Sequence, residues 1–131
     1  MGRSKQGKFL QNEEAWNVVQ EGKENFETIK GNWHSDFFKN DNDLIIELGC
    51  GRGEYTMGLS ENYPDRNFVG IDIKGSRIWK GSQQALQNDV KNVGFLRTQI
   101  QFLEKYFEPG EFAGAWITFP DPQPKKTDAN K

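Results

Sequence analysis

The chain has 131 residues and a formal net charge of −2, and 34% of its residues are hydrophobic and 27% are charged. This length and composition indicate one globular domain with a hydrophobic core and argue against disorder. No segment approaches the roughly 20 consecutive apolar residues that span a bilayer, so we expect no membrane partner. With one cysteine, an internal disulfide is excluded, and no set of cysteine and histidine has the spacing of a metal site. We therefore expect a cytoplasmic protein without metal.

The N-terminal part, residues 1–40, is predicted to be a basic arm followed by a lead-in segment. Its first residues include Arg3, Lys5 and Lys8 without an acidic residue among them, and we expect this start to be flexible. A cluster of asparagine and aspartate at 40–43 predicts a turn. The lead-in segment before that turn has no clear periodicity apart from a short helical stretch.

A regular alternation of short apolar runs and helical segments fills residues 41–131. Four runs rich in β-branched or aromatic residues are predicted to be buried strands, at residues 44–48, 67–72, 93–96 and 113–119. Helices are predicted between them, at residues 54–62, 76–88 and 100–107. This βα rhythm indicates an α/β fold with a parallel sheet, flanking helices and right-handed connections.

A glycine-rich loop follows the first predicted strand, with glycines at Gly49, Gly51 and Gly53. Glycine permits a tight turn and the close approach of a ligand, and the helix start behind the loop offers unpaired N–H groups. Open α/β sheets bind nucleotides at this place. Asp72 ends the second strand, where a carboxylate can accept hydrogen bonds from both ribose hydroxyls of an adenosine.

The glycine spacing distinguishes two classes of nucleotide cofactor. The dinucleotide fingerprint G-x-G-x-x-G requires its third glycine at position 54, which is Glu54 in this chain. The observed G-x-G-x-G, with Glu47 two residues ahead, resembles motif I of class I S-adenosylmethionine-dependent methyltransferases. That cofactor carries a sulfonium and an ammonium group but no pyrophosphate, so an acid beside the loop suits it. A dinucleotide-dependent oxidoreductase is the less favoured alternative. Cys50, inside the loop, is expected to be a packing residue because no potential base has a motif relation to it.

A proline-rich segment follows the fourth predicted strand and has three prolines within five residues. Proline at this density forces an extended, stiff backbone. The segment carries Asp121, Lys125 and Lys126, so a carboxylate and two ammonium groups are expected beside the cofactor loop.

The sequence Pro-Asp-Pro-Gln-Pro-Lys in this segment resembles the signature of the bacterial tRNA (guanine-N7-)-methyltransferase family. The resemblance extends to the glycine loop, to residues 70–77 and to the basic start of the chain. It implies a Rossmann-like class I methyltransferase sheet with strand order third, second, first, fourth, fifth. It also implies transfer of a methyl group from S-adenosylmethionine to N7 of a guanine in the variable loop of tRNA.

Residue roles follow from these motifs and from the resemblance. The predicted cofactor-binding residues are Glu47, Gly49, Gly51, Gly53, Asp72, Gln99 and Asp121. Many relatives have aspartate at position 99, but the amide oxygen of a glutamine there still accepts a hydrogen bond from the adenine amino group. The predicted tRNA contacts are Lys125, Lys126, Lys74 and Arg77. The predicted catalytic residue is Asp121, whose carboxylate would stabilise the positive charge that develops on the methylated guanine.

The family's core continues through further strands beyond the four predicted here. We therefore expect this chain to be part of a longer protein, with its fourth predicted strand at an open edge of the sheet. Two alternatives remain open at this stage. One is a methyltransferase that acts on a protein, a small molecule or another RNA, and the other is a non-catalytic module that holds cofactor or RNA.

Overall fold

A computed structural model of the chain describes residues 5–117. The strands are β1 (Val18–Val19), β2 (Leu44–Leu48), β3 (Asn67–Asp72), β4 (Val93–Arg97) and β5 (Gly114–Ile117). The α-helices are α1 (Lys5–Glu14), α2 (Glu24–Thr28), α3 (Glu54–Asn62) and α4 (Gly75–Gln87). A π-helix spans Trp33–Phe38 and a 3₁₀ helix spans Ile100–Lys105.

The strands form one parallel sheet in the order β1-β4-β3-β2-β5. The α/β fold and the expected order of the four predicted strands are confirmed. The predicted bounds of β2, β3 and α3 agree with the structure. β5 begins at Gly114, one residue after the predicted start at 113, and the predicted end at 119 lies outside the described residues. β5 pairs with β2 alone in the described part of the chain and so forms one edge of the sheet there.

Apolar side chains alternate between the two faces of the sheet, as the pleat requires. Leu44 and Ile46 of β2 pack on one face with the π-helix residue Trp33. Phe68 and Phe95 pack on the other face, beneath α3 and α4. Both faces are therefore covered, which is why the strands read as nearly continuous apolar runs rather than alternating ones.

From residue 5 onward, the N-terminal part differs from the prediction of a flexible arm. α1 is helical and packs on α4, where the indole Nε1 of Trp79 donates a hydrogen bond to Oε1 of Gln11 at 2.7 Å. β1 adds a fifth strand outside β4, with Val18 opposite Phe95. These contacts join residues more than 60 positions apart, so no local sequence pattern predicts them. The division of the chain into domains at residue 40 stays a prediction.

Lys23 connects α1 to β1 through three hydrogen bonds. Its Nζ donates to the carbonyl oxygens of Asn12, Ala15 and Val18, at 3.1, 2.6 and 2.6 Å. The last carbonyls of a helix lack partners within the helix, so this ammonium group takes the place of a C-terminal cap. Burial lowers the pKa of Lys23 to about 8, and the charge of Glu13 offsets part of that effect.

Candidate cofactor site

The loop between β2 and α3 turns through three glycines with positive φ. The φ angles of Gly49, Gly51 and Gly53 are 72°, 59° and 78°, in the left-handed region that disfavours other residues. The N–H groups of Gly49 and Cys50 both donate to the carbonyl of Ile71, at 2.7 and 2.9 Å. The loop is therefore fastened to the end of β3, where the predicted ribose-binding acid stands.

Two of these glycines meet very different surroundings. A Cβ on Gly53 would lie 2.8 Å from Cε1 of Phe95, so the start of α3 can approach β4 only with glycine at this position. A Cβ on Gly51 would meet no atom within 4 Å, so this glycine faces open space. Gly51 is thus free to let a ligand approach the backbone, whereas Gly53 serves packing.

Asp72 lies at the centre of the site, at the carboxyl end of β3, and is 7% exposed. Its Oδ2 accepts a hydrogen bond from the N–H of Gly51, and its Oδ1 accepts one from the N–H of Lys74, both at 2.9 Å. Nη1 of Arg77 lies 3.9 Å from Oδ2. A carboxylate has about four acceptor sites, so the two backbone bonds leave capacity for two ribose hydroxyls.

A cavity of about 380 Å³ opens beside this carboxylate. Three of the predicted cofactor residues line it, namely Gly49, Asp72 and Gln99. Ile73 and Ile100 also line it and are 51% and 47% exposed, which is unusual for isoleucine. Apolar walls beside a ribose-binding acid fit an adenosine, whose flat base packs on aliphatic side chains. We call this space the cofactor cavity.

The apolar walls of the cofactor cavity were missed from the sequence. Ile73 directly follows the acid at the end of β3, and Ile100 begins the 3₁₀ helix after β4. An apolar residue just past a strand end reads as a continuation of the core. Whether such a residue is exposed depends on where the ends of the neighbouring strands and the starts of the helices lie in the folded chain.

Glu47 does not line the cofactor cavity. It is 2% exposed on β2, and its carboxylate accepts a hydrogen bond from the hydroxyl of Thr56 on α3. The structure therefore places this acid beneath the glycine loop, where it holds the first turn of α3. Its direct contact with a cofactor stays a prediction.

Cys50 is a buried thiol within the loop. Burial raises its pKa well above the ordinary value, and the negative charges of Asp72 and Glu47 add to that effect. Its Sγ lies 2.8 Å from the position of a Cβ on Gly70, so the thiol fills the space above that glycine. A protonated, enclosed thiol is a poor nucleophile, which agrees with the packing role expected from the sequence.

The remaining predicted residues are the tRNA contacts and the catalytic aspartate. Arg77 lines the cofactor cavity, whereas Lys74 is exposed at the start of α4. Asp121, Lys125 and Lys126 lie outside the described residues. In residues 5–117 no three acidic, histidine or cysteine side chains form a metal-binding group, and no helix is long and apolar enough to span a bilayer.

Comparison with protein families gives a match to the model described as "Putative methyltransferase", over residues 41–131. That range contains the whole glycine loop, Asp72 and the cofactor cavity. The chain belongs to this methyltransferase family.

Curated relatives support the more specific resemblance. The tRNA (guanine-N(7)-)-methyltransferase of Cytophaga hutchinsonii is 51% identical over 129 residues, which is 98% of this chain and 58% of that protein. The protein of the same name from Porphyromonas gingivalis is 54% identical over 109 residues, 83% of this chain and 44% of that protein. The resemblance drawn from the motifs is thereby confirmed. The chain spans about half the length of these curated relatives.

Solved structures of methyltransferases share the fold. An antibiotic-related methyltransferase matches with a TM-score of 0.53 and 21% identity, over 66% of this chain and 45% of that one. Geranyl diphosphate C-methyltransferase from Streptomyces coelicolor, solved with S-adenosyl-L-homocysteine, matches with a TM-score of 0.52 and 18% identity. That match covers 58% of this chain and 27% of the other. At these identities the likeness establishes the fold alone.

Proposed function

We propose that this chain forms the cofactor-binding part of an enzyme that methylates N7 of a guanine in tRNA, with S-adenosylmethionine as methyl donor. The observation that carries the proposal is the 51% identity to the Cytophaga hutchinsonii tRNA (guanine-N(7)-)-methyltransferase across 98% of the chain. tRNA is the proposed macromolecular partner, and a cytoplasmic location follows from that substrate.

The cofactor cavity suits S-adenosylmethionine in three respects. The two free acceptor sites of Asp72 would hold the ribose, and Ile73 and Ile100 would pack on the adenine. Gln99 lines the same cavity, and its side-chain amide oxygen would accept a hydrogen bond from the adenine amino group. The open backbone at Gly51 leaves room for the rest of the molecule. Bound there, the cofactor supplies an electrophilic methyl group on its sulfonium.

Catalysis by the protein then consists largely of positioning. Guanine N7 has a lone pair at neutral pH, so no general base is needed before attack. The chain must hold N7 in line with the methyl group at near-attack distance. Asp121 would stabilise the positive charge that develops on the guanine. Lys74, Arg77, Lys125 and Lys126 would bind the tRNA backbone, which makes affinity dependent on salt.

Methyl transfer from labelled S-adenosylmethionine to unmodified tRNA, followed by nucleoside analysis, tests the proposal. We expect label in 7-methylguanosine, with the Cytophaga hutchinsonii relative as positive control. Label at another atom would overturn the substrate assignment while retaining the methyl donor. Cofactor binding without any transfer would indicate a non-catalytic module in this half-length chain.

A further inference from the structure

A second cavity, of about 570 Å³, lies next to the cofactor cavity, and Ile73 lines both. Its walls are Gln6 and Phe9 of α1, the first residues of α4, and Arg97 at the end of β4. We call it the α1–α4 cavity. It is the larger of the two, and none of the residues predicted to bind the cofactor lines it.

Two cations line this cavity without acidic partners. Nε of Arg97 donates to the carbonyl of Ile73 at 3.1 Å, and its guanidinium carbon lies 3.3 Å from the position of a Cβ on Gly75. Among the described residues neither Arg97 nor Lys74 forms a salt bridge. The nearby carboxylate of Asp72 is already engaged by two backbone N–H groups and approached by Arg77. The residues that line the cavity therefore include two cations and no acid.

The start of α4 adds further donors. This helix has 13 residues and no side-chain cap, and the N–H groups of Arg77 and Ile78 both bond to the carbonyl of Lys74. The N–H groups of Gly75 and Ser76 have no hydrogen-bond partner within residues 5–117. Both residues line the cavity. Unpaired N–H groups at a helix start carry partial positive charge and favour an anion.

Two fully buried amide side chains in the adjoining elements, Asn12 and Gln20, have unused polar atoms, although neither residue lines the cavity. Gln20 directly follows β1 and Arg97 ends β4, and the residues that precede them, Val19 and Leu96, are paired in the sheet. Within the described part of the chain, neither Nε2 nor Oε1 of Gln20 has a hydrogen-bond partner. Asn12 donates to the carbonyl of Gly75 at 3.0 Å, while its own Oδ1 has no partner among residues 5–117. Buried groups of this kind are rare, because each costs about 1–3 kcal/mol.

We propose that the α1–α4 cavity is a phosphate-binding subsite that holds the RNA backbone, an inference that rests on the proposed function. Its available groups are mainly hydrogen-bond donors, two of them cationic, and a phosphate offers only acceptor oxygens. Its volume exceeds that of a lone phosphate and accommodates a nucleotide. Because Ile73 lines both cavities, a phosphate held here anchors the tRNA directly beside the bound methyl donor.

The salt dependence of tRNA binding tests the proposal on the 131-residue chain. Arg97→Gln should weaken the binding of unmodified tRNA and reduce the slope of log K against log [salt] by about 1. Arg66→Gln is the matched control, since Arg66 directly precedes β3 at the amino-terminal ends of the strands, whereas Arg97 stands at their carboxyl ends, and Arg66 lies over the ring of Tyr63. An unchanged slope for Arg97→Gln, or an equal loss in both variants, would overturn the proposal.

A second variant separates anion binding from folding. Ser76→Asp places an acid in the first turn of α4, which favours the helix but repels a phosphate. We expect it to keep its melting temperature and its affinity for S-adenosylhomocysteine while it loses several-fold in tRNA affinity. Retained tRNA affinity would contradict the phosphate site.

Amide NMR shows whether the bound phosphate belongs to tRNA or is free inorganic phosphate. It also separates failure of the phosphate subsite from failure of the proposed function. tRNA should shift the Gly75 and Ser76 signals at far lower concentration than inorganic phosphate, and both responses should weaken in Arg97→Gln. Shifts by phosphate without any by tRNA would overturn the RNA assignment. If tRNA binds and is methylated while these signals stay unmoved, the subsite fails and the proposed function stands. Binding of S-adenosylhomocysteine without any binding of tRNA would instead count against the proposed function.

Discussion

At the scale of single residues, Asp72 connects the end of β3 to the glycine loop and to the start of α4. Its two oxygens accept hydrogen bonds from the glycine loop at Gly51 and from the start of α4 at Lys74. These two hydrogen bonds therefore orient the carboxylate before any ligand binds, and they also fix the directions of its remaining acceptor sites. Preorganisation of this kind lowers the entropic cost of binding.

Replacement of Asp72 should weaken cofactor binding strongly. For Asp72→Ala we expect a loss of about 1.5–3 kcal/mol in affinity for S-adenosylhomocysteine, because hydrogen bonds to a charged group are removed. Asp72→Asn keeps one oxygen and should lose less. Isothermal titration calorimetry measures both, with the exposed Asp65→Ala as control. Equal affinities for Asp72→Ala and the wild-type chain would contradict the ribose assignment.

Asp121 carries a separate prediction about chemistry. Asp121→Ala should reduce the rate of methyl transfer much more than tRNA binding, because a carboxylate that stabilises developing charge acts mainly in the transition state. Single-turnover rates and a tRNA binding titration measure the two effects. Equal losses in both would show that this residue serves binding rather than catalysis.

At the scale of elements, the start of α3 depends on one glycine. Gly53→Ala combines a positive φ, which costs about 1–2 kcal/mol, with overpacking against Phe95, which costs about 1–3 kcal/mol. Gly51→Ala has the backbone strain without the steric clash. Urea denaturation should therefore show the larger loss of unfolding free energy for Gly53→Ala. For Gly51→Ala we expect the loss of cofactor-binding free energy to be larger than the loss of unfolding free energy. A larger loss of unfolding free energy for Gly51→Ala than for Gly53→Ala would refute these roles.

The attachment of α1 should depend on pH through Lys23. Its pKa is about 8 in the fold and 10.5 ordinarily, so between these values the unfolded chain binds one more proton. The free energy of unfolding contributed by this group therefore rises with pH from 8 to 10.5. Lys23→Met should remove that rise, whereas Lys30→Met, an exposed partner of Glu108, should keep it. Parallel profiles for wild type and Lys23→Met would show that burial does not lower this pKa.

At the scale of the whole molecule, the cofactor should stabilise the fold as a unit. The glycine loop, β3, α4 and the 3₁₀ helix all contribute to the cofactor cavity, so a bound ligand links elements that lie between residues 49 and 101. At a concentration of S-adenosylhomocysteine about 100 times its Kd, linkage predicts about 2.7 kcal/mol of added stability. That amounts to roughly 10 °C in melting temperature for a chain of this length. NAD at the same concentration should produce no comparable shift, because the glycine loop lacks the third glycine of the dinucleotide fingerprint.

The sequence alone determined the central sheet and the place of the site. β2 and β3 are recognisable because local apolar runs and flanking turn residues set their bounds. The glycine loop and Asp72 are recognisable because both stand at strand ends in a fixed order. These features depend on neighbours within a few positions, which a sequence displays directly.

The surroundings of that site, in contrast, arise from contacts between segments that are distant in the chain. β1 has two residues and no pattern of its own, and it forms because β4 offers a free edge for it. Likewise α1 is held by Lys23 and by Trp79 of α4, through contacts that sequence spacing does not reveal. The exposure of Ile73 and the α1–α4 cavity follow from that arrangement. The physical reason is that distant segments pack together in the fold. Which side chains are buried and which donors stay unpaired depends on that packing and not on neighbouring residues in the sequence.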